Sequence, residues 1–200
     1  LFVTSNRIGD CVISSGVIRE IDRQMPGARI TVACGRPPAP FFRSASGVEQ
    51  VIILDKKKAA GHWLELWGQV RGTRWDWVID IRGSALAWLI AARRRTVYNR
   101  RWETGRRKVE MVSALMGSQV PMEPELFIDD AARIAASSVL DPQLAAGTGP
   151  GPILALAPIA HQPGKSWPAD RWGQLVQRLM AEPRFAGWRF MPVGGPGDQA

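Results

Sequence analysis

The chain has 200 residues, of which 46% are hydrophobic and 22% charged, and its formal net charge is +8. These are ordinary values for a soluble globular protein, and no apolar run approaches the ~20 residues that a membrane-spanning helix requires. The two cysteines, Cys11 and Cys34, lack C-x-x-C spacing and clustered histidines, which argues against a zinc site and predicts buried free thiols.

The opening ten residues contain the most informative turn of the sequence. An apolar strand runs into a short polar turn, and an amphipathic helix begins where that turn ends in Gly9-Asp10. This order places a carboxylate at the carboxyl end of a strand, where open α/β folds bind their ligands. Glycines of the G-x-G-x-x-G dinucleotide pattern are missing here. Asp10 is therefore either a functional acid or a cap of the helix.

Strands alternate with helices through the first half of the chain. The first helix carries Ile13, Val17, Ile21 and Met25 at four-residue spacing and ends at Pro26-Gly27. The predicted strands that follow are Arg29–Cys34, Gln50–Leu54, Trp77–Ile81 and Thr96–Tyr98, and the predicted helices are His62–Val70, a short apolar helix from Gly83 to Ala92, and Lys108–Met116. This alternation predicts a parallel sheet covered by helices on both faces.

The alternation restarts after a linker. Residues Asp129–Leu144 are rich in alanine and predicted to be partly helical, and a Gly/Pro-rich stretch follows at 147–152. Beyond it we predict a strand at Ile153–Ala157, a helix at Ala169–Met180 and a strand at Trp188–Val193. The sequence thus predicts one domain at 1–147 and a second, incomplete one at 148–200. We expect sequence to be missing at both ends, because Leu1 already lies in a strand pattern and two strands make no stable domain.

The loop before the second predicted helix contains Gly164-Lys165-Ser166, the ending of a P-loop. Ile159 stands where that motif needs a glycine, and Trp167-Pro168 interrupts the helix that should follow the lysine. A P-loop NTPase is therefore a poor match. Lys165 is either a phosphate ligand acting as a point charge or a lysine on a surface turn.

Basic residues occur in clusters. The clusters are Lys56–Lys58, Arg93–Arg95, Arg100-Arg101 and Arg106–Lys108. They favour a polyanionic partner, such as a phosphorylated glycolipid, a membrane surface or nucleic acid, although a solvated surface explains them equally well. The tryptophans are assigned to packing, with membrane contact as the alternative for Trp63, Trp67 and Trp88.

Five segments together resemble glycosyltransferase family 9, the ADP-heptose–lipopolysaccharide heptosyltransferases and their relatives. They occur in that family's order and spacing along nearly the whole chain. The segments are Ser5–Asp10 with the helix to Pro26, Trp75–Gly83, Ile153–Pro158, Lys165–Trp172 and Val193–Asp198. The resemblance implies an α/β fold of the GT-B type, with two Rossmann-like domains that have parallel sheets, the second incomplete in this chain.

The resemblance also implies roles for particular residues. Asp10 falls on the family's catalytic aspartate. Lys165, Gly195 and Gly197 are expected to bind donor phosphate in the second domain. The expected acceptor contacts in the first domain are Asn6, Arg7, Arg36 and Arg82, with the Arg93–Arg95 run as a further candidate.

The function implied is inverting transfer of a heptose or related sugar to the lipopolysaccharide inner core or a related glycan. The implied donor is ADP-heptose, which is a substrate, and neither a cofactor nor a metal is expected. The expected acceptor is an anionic glycolipid of the Kdo-lipid A type, and the expected location is the cytoplasm, with peripheral contact at the inner membrane. Nucleic acid is not expected as a partner, and this chain alone is expected to have little activity.

The sequence departs from the family pattern at three places. Ala160 and His161 replace paired hydroxyl residues, Arg82 stands where many members have glutamine, and the Asp-Thr-Gly-x-x-His donor segment is absent. These differences leave the transferred sugar open. A basic α/β module that binds nucleic acid without catalysis, and a nucleotide-dependent oxidoreductase, remain as alternatives.

Overall fold

The computed structural model describes residues 1–99, 105–145, 151–160 and 163–195. The chain divides into two compact units, Leu1–Ala132 and Arg133–Ala200. The domain boundary predicted between residues 147 and 148 lies outside the described residues. In the described part of the chain, no helix has both the length and the apolar character needed to cross a membrane.

Five parallel strands form the sheet of the first unit, in the order β3-β2-β1-β4-β5. They are β1 (Phe2–Val3), β2 (Ile30–Cys34), β3 (Val48–Ile53), β4 (Trp75–Asp80) and β5 (Ala92–Val97). The central strand β1 is two residues long, yet Phe2 pairs with Val32 on one side and with Ile79 on the other. The predicted parallel α/β sheet is confirmed.

Helices cover both faces of this sheet. They are α1 (Ile8–Ile13), α2 (Gly16–Gln24), α3 (Ala39–Arg43), α4 (Gly61–Val70), α5 (Leu86–Leu89) and α6 (Lys108–Leu115). Successive strand residues point to opposite faces, so Phe2 and Val3 enter different cores. Phe2 packs with side chains of α2 and α6, whereas Val3 packs with side chains of α4 and α5.

The single helix predicted after Asp10 is two helices, α1 and α2, which meet at Ser14-Ser15. The Ser14 hydroxyl lies 3.0 Å from the Asp10 carbonyl oxygen, and the Ser15 hydroxyl donates to the Val12 carbonyl at 2.7 Å. Serine side chains that bond the preceding turn compete with the helical backbone bonds. The Ser15 hydroxyl also accepts the N–H of Glu125, which ties the break to a distant loop.

The apolar helix predicted to reach Ala92 ends at Leu89, and β5 begins at Ala92. The guanidinium of Arg95 donates to the carbonyls of Ala87, Ile90 and Ala92 at 2.8–3.0 Å. These bonds satisfy carbonyls at the end of the short helix and in the turn, while β5 pairs with β4. Tertiary pairing therefore overrides the apolar periodicity that predicts a longer helix.

The sequence gives no indication of α3, which has five residues. Pro38 is its N-cap, and Pro40 lies in its first turn, where proline is tolerated because the N–H there has no partner within the helix. Its buried Phe42 meets Phe2 edge to face, with ring centroids 6.2 Å apart. A helix this short shows no periodicity, and packing of Phe42 supports it.

The second unit has a small parallel sheet of two strands, β6 (Ile153–Leu156) and β7 (Arg189–Pro192). The helix α8 (Ala169–Ala181) connects them, and α7 (Asp130–Ala145) precedes them. The predicted strand–helix–strand order is confirmed, and each boundary agrees to within one residue. None of the side chains described in β6, α8 and β7 is fully buried.

Candidate active site

The polar side chains of the first unit meet at the carboxyl edge of its sheet. From β1 the chain proceeds to β2 on one side, and after β3 it returns to β4 on the other side. The strand order thus reverses between β1 and β4. Such a switch point leaves a crevice at the carboxyl ends of the strands, where open α/β folds bind ligands. The loop of Ser5–Arg7 follows β1, and the loop of Ile81–Gly83 follows β4.

Gly35, which follows β2, lets its loop contact the loop after β1. A Cβ atom at this position would lie 2.6 Å from the Cα atom of Asn6. The Gly35 N–H donates to the Ser5 carbonyl at 3.1 Å. Only glycine allows two backbones to approach this closely, so Gly35 fixes the position of Ser5 and Asn6.

Asp10 lies in the first turn of α1, and its carboxylate bonds two side chains. The Ser5 hydroxyl donates to Oδ2 at 3.0 Å, and the Lys108 ammonium donates to Oδ1 at 2.6 Å. The N-cap of α1 is Arg7, and no side-chain capping bond forms there. The alternative in which Asp10 serves as the helix cap is therefore wrong.

The pKa of Asp10 lies below its ordinary value. Burial raises this pKa, but the hydrogen bonds from Lys108 and Ser5 and the charges of Lys108 and Arg7 outweigh that effect. The side chain keeps 28% of its surface exposed. Asp10 is thus an ionised carboxylate that solvent or a ligand can reach.

Arg82 and Asn6 connect the two loops at the switch point. The Arg82 guanidinium donates to Oδ1 of Asn6 at 3.1 Å and lies 4.7 Å from the ring centroid of Trp63. Burial lowers the pKa of Arg82, and Asp80 partly offsets this effect. The structure therefore brings Asn6, Asp10 and Arg82 to one edge of the first unit.

Asp80, at the end of β4, shapes the loop that carries Arg82. Its fully buried carboxylate accepts the N–H groups of Arg82, Gly83 and Ser84 at 2.8–3.1 Å, together with the Ser84 hydroxyl. Burial raises the pKa of Asp80, although these bonds oppose the increase. In the sequence Asp80 is one of two acids in an otherwise apolar strand, and only the sharp turn at Gly83 indicates its role.

The other predicted acceptor arginines differ in their surroundings. Arg36 follows β2 at the same edge and forms an ion pair with Asp55, which follows β3. Arg7 is exposed beside Asp10. The Arg93–Arg95 run lies along β5 and makes contacts within the unit: Arg93 pairs with Asp76, and Arg94 lies 3.8 Å from the centroid of the Trp77 ring. This run does not join the site.

Neither a protein-family model nor a curated protein sequence matches the chain. A solved glycosyl transferase family 9 structure from Veillonella parvula matches with a TM-score of 0.77 at 18% identity, covering 99% of this chain and 63% of that one. E. coli ADP-heptose lps heptosyltransferase II matches with a TM-score of 0.65 at 17% identity, covering 98% and 65%. E. coli heptosyltransferase WaaC with ADP matches with a TM-score of 0.63 at 18% identity, covering 98% and 68%.

The chain has the fold of the family 9 glycosyltransferases. The likeness confirms the predicted fold class, α/β of the GT-B type. This chain spans 63% of the length of the Veillonella parvula structure and 65% of heptosyltransferase II.

In this family 9 fold, the predicted donor residues belong to the second unit. Lys165 is exposed and ends a single 3₁₀ turn, Pro163–Lys165, in the loop that follows β6. The Ser166 hydroxyl accepts the Ala160 N–H at 2.9 Å, which closes that loop. Gly195 follows β7, and Gly197 lies outside the described residues. Their roles stay predictions.

The cysteines are buried free thiols, as predicted. Burial raises the pKa of Cys11 to about 11 and that of Cys34 to about 12, so both remain protonated at neutral pH. Among the described residues, no group of three or more His, Cys, Asp and Glu side chains is arranged to hold a metal ion.

Proposed function

We propose that the protein is a glycosyltransferase of family 9. It moves a heptose, or a related sugar, from a nucleoside-diphosphate sugar to a hydroxyl of an anionic glycolipid of the Kdo-lipid A type. The observation that carries this proposal is the ionised, accessible carboxylate of Asp10 at the switch point of the first sheet. The family 9 fold supports it.

Asp10 acts as the general base in this proposal. The acceptor oxygen attacks the anomeric carbon from the face opposite the diphosphate, so the configuration inverts. The new carbon–oxygen bond forms as the bond to the diphosphate breaks, and the hydroxyl proton passes to Asp10. The hydroxyl becomes strongly acidic only while its new bond forms, so a carboxylate with a lowered pKa can still accept the proton.

The acceptor binds along the edge that carries Asp10. The Arg82 guanidinium and the Asn6 amide, already 3.1 Å apart, can together bind a carboxylate or phosphate oxygen of the glycolipid. Arg7, in the loop after β1, and Arg36, in the loop after β2, add positive charge at the same edge of the sheet. Arg36 must exchange its ion pair with Asp55 for the acceptor, which costs little because that pair is exposed.

The donor is ADP-heptose or a similar nucleotide sugar, and it binds the second domain as a substrate. In the sequence, Lys165 comes after β6, and Gly195 and Gly197 come after β7. We expect the lysine and backbone N–H groups of these segments to stabilise the leaving diphosphate. Transfer needs no cofactor, since the donor supplies the leaving group. The reaction takes place at the inner face of the cytoplasmic membrane.

The test is a transfer reaction with the protein in its natural full length. ADP-heptose and a Kdo-lipid A acceptor are supplied, and mass spectrometry and NMR follow the acceptor. We expect one added heptose with inverted anomeric configuration and release of one ADP. Steeply salt-dependent binding of DNA or RNA, without transfer to the glycolipid, would favour the alternative of a nucleic-acid-binding module.

A further inference from the structure

Two neighbouring helices of the first unit expose large apolar side chains. Leu64 on α4 is 70% exposed, and Trp88 and Leu89 on α5 are 68% and 65% exposed. The indole N–H of Trp67 donates to the Leu89 carbonyl at 3.2 Å and holds the two helices together. We call this the α4–α5 surface, and its members are Trp63, Leu64, Trp67, Trp88 and Leu89. A groove of about 380 Å³ runs between the helices.

Each tryptophan of the α4–α5 surface lies beside an arginine. The guanidinium carbon of Arg82 is 4.7 Å from the centroid of the Trp63 ring. That of Arg71 is 4.8 Å from Trp67, and that of Arg95 is 5.9 Å from Trp88. Aromatic rings with a cation beside them are typical of surfaces that lie at the boundary between lipid and water.

The segments that build this surface are strongly basic. Residues 56–71 contain four basic residues and one acid, Glu65, which is ion-paired with Lys57. Residues 82–95 contain no acid. Two of the four arginines in this segment, Arg82 and Arg95, lie beside tryptophans of the surface, whereas Arg93 and Arg94 contact side chains of β4. Lys56, Lys57 and Lys58 are exposed directly before α4. Exposed apolar side chains with basic residues around them match an anionic bilayer, which attracts the cations and accepts the apolar side chains.

We propose that the α4–α5 surface docks the protein on an anionic lipid bilayer. Trp88, Leu64 and Leu89 enter the boundary between headgroups and acyl chains, while Lys56–Lys58 and Arg71 bind the phosphates of the headgroups. Arg82 lines the groove and also bonds Asn6, so the docking surface is continuous with the candidate active site. A bilayer bound here presents headgroups to that site; this orientation rests on the proposed function, whereas lipid binding does not.

Vesicle co-sedimentation tests the docking surface. The protein is mixed with vesicles of phosphatidylethanolamine and phosphatidylglycerol, and separately with vesicles of phosphatidylcholine. The variant replaces Leu64→Ser and Leu89→Ser. The control replaces Val120→Ser and Leu126→Ser, which are 69% and 64% exposed in the segment after α6. All four side chains are outside the core, so both variants should keep the thermal midpoint of the wild type.

We expect binding to the anionic vesicles, weaker binding in high salt, and a partition coefficient at least tenfold lower for the Leu64/Leu89 variant than for the control. Equal binding by all three proteins, or no binding by the wild type, would overturn the proposal. So would a change of oligomeric state in the Leu64/Leu89 variant with unchanged vesicle binding, because the surface would then join copies of the chain. These mixtures contain no sugar donor, so their outcome is independent of the transfer test.

Discussion

Two opposing effects act on the carboxylate of Asp10. Partial burial favours its neutral form, while Lys108 and Ser5 favour its ionised form and prevail. A base must be ionised before it can accept a proton, yet a strongly stabilised carboxylate is a weak base. In the proposed mechanism Lys108 therefore has two effects: it keeps Asp10 ionised and it weakens Asp10 as a base. The Asp10 side chain is 28% exposed, so an incoming hydroxyl can reach it.

Replacing Lys108→Met should raise the pKa of Asp10, because the hydrogen bond and the charge that lower it disappear. A carboxyl with a lowered pKa stabilises the fold above its unfolded pKa, and this contribution is lost as the pH falls through the folded pKa. The variant should therefore be less stable than the wild type at neutral pH, and the difference should vanish in acid. Carbon-13 NMR titration of the Asp10 carboxyl measures the shift.

Lys57→Met is the matched control for this titration, since it removes a lysine that is ion-paired with a different acid, Glu65. The Asp10 midpoint should not move in this control. An Asp10 midpoint that stays unchanged in Lys108→Met as well would contradict the assigned role of Lys108.

For single residues, the sequence identifies the candidate site residues Asp10 and Arg82 better than the residue that holds Asp10 in place. Asp10 and Arg82 follow strand ends, and a strand end can be read from an apolar run. Lys108 is 98 positions from Asp10 and belongs to a basic run that looks like solvated surface. No spacing connects such a pair, and only the sheet order and the return of α6 bring them together.

The turn between β4 and α5 determines the position of Arg82 in the candidate site. Asp80 accepts three backbone N–H groups of this partly buried turn. Gly83 has a φ of +66°, and a Cβ there would lie 2.7 Å from the Tyr98 carbonyl oxygen. The bonds of Asp80 hold the loop in the conformation in which Arg82 bonds Asn6.

Replacing Asp80→Ala should lower the free energy of unfolding by about 2–4 kcal/mol, because three N–H groups and the Ser84 hydroxyl lose a common acceptor that is charged and buried. Urea denaturation followed by tryptophan fluorescence measures the change. Asp76→Ala on the same strand is the control: its side chain is 59% exposed and pairs with Arg93, so the loss should stay below about 1 kcal/mol. Equal losses in the two variants would show that Asp80 does not brace the turn.

Elements with strong periodicity are predicted well, and elements decided by tertiary contacts are not. α8 and β2 agree with prediction to within one residue, since each has a clear apolar pattern and a turn signal beside it. The start of β5 is missed because Ala92 continues an apolar helical run, and the pairing with β4 and the bonds of Arg95 decide the outcome. The break at Ser14-Ser15 is missed for the same kind of reason.

Across the whole molecule, burial is concentrated in the first unit. The buried hydrophobic side chains of the described residues all lie between Leu1 and Met116. In the second unit, β6 and β7 form a sheet of two strands whose described side chains are partly exposed. A sheet of two strands gains little stability by itself, so most of the stability of this chain resides in the first sheet.

Hydrogen exchange of the 200-residue chain should show this difference. Amides of β2 and β4 should exchange at least about 100-fold more slowly than amides of β6, because opening the first sheet requires unfolding its core. Mass spectrometry of peptides that cover Ile30–Cys34, Trp75–Asp80 and Ile153–Leu156 measures the rates. Equal protection of β6 and β4 would contradict the uneven distribution of stability.

The sequence predicts the type of sheet in each unit and the division of the chain, but it does not predict the strand order. Strand–helix alternation predicts parallel sheets, and the Gly/Pro-rich stretch indicates a division of the chain. The strand order β3-β2-β1-β4-β5 does not follow from alternation alone, although it creates the switch point at Asp10. Resemblance to a family supplies that order, whereas the periodicity of the residues does not.

In the proposed mechanism the Asp10 carboxylate accepts the proton of the acceptor hydroxyl. The most direct test of this role is the kcat for sugar transfer by the full-length Asp10→Asn variant, which preserves the size of the side chain and removes its charge. The matched control is Glu49→Gln, an acid ion-paired with Arg29 at the opposite edge of the sheet. We predict that kcat falls about 10²–10⁴-fold in Asp10→Asn and is unchanged in the control. Transfer by Asp10→Asn at the rate of the control would show that Asp10 is not the general base.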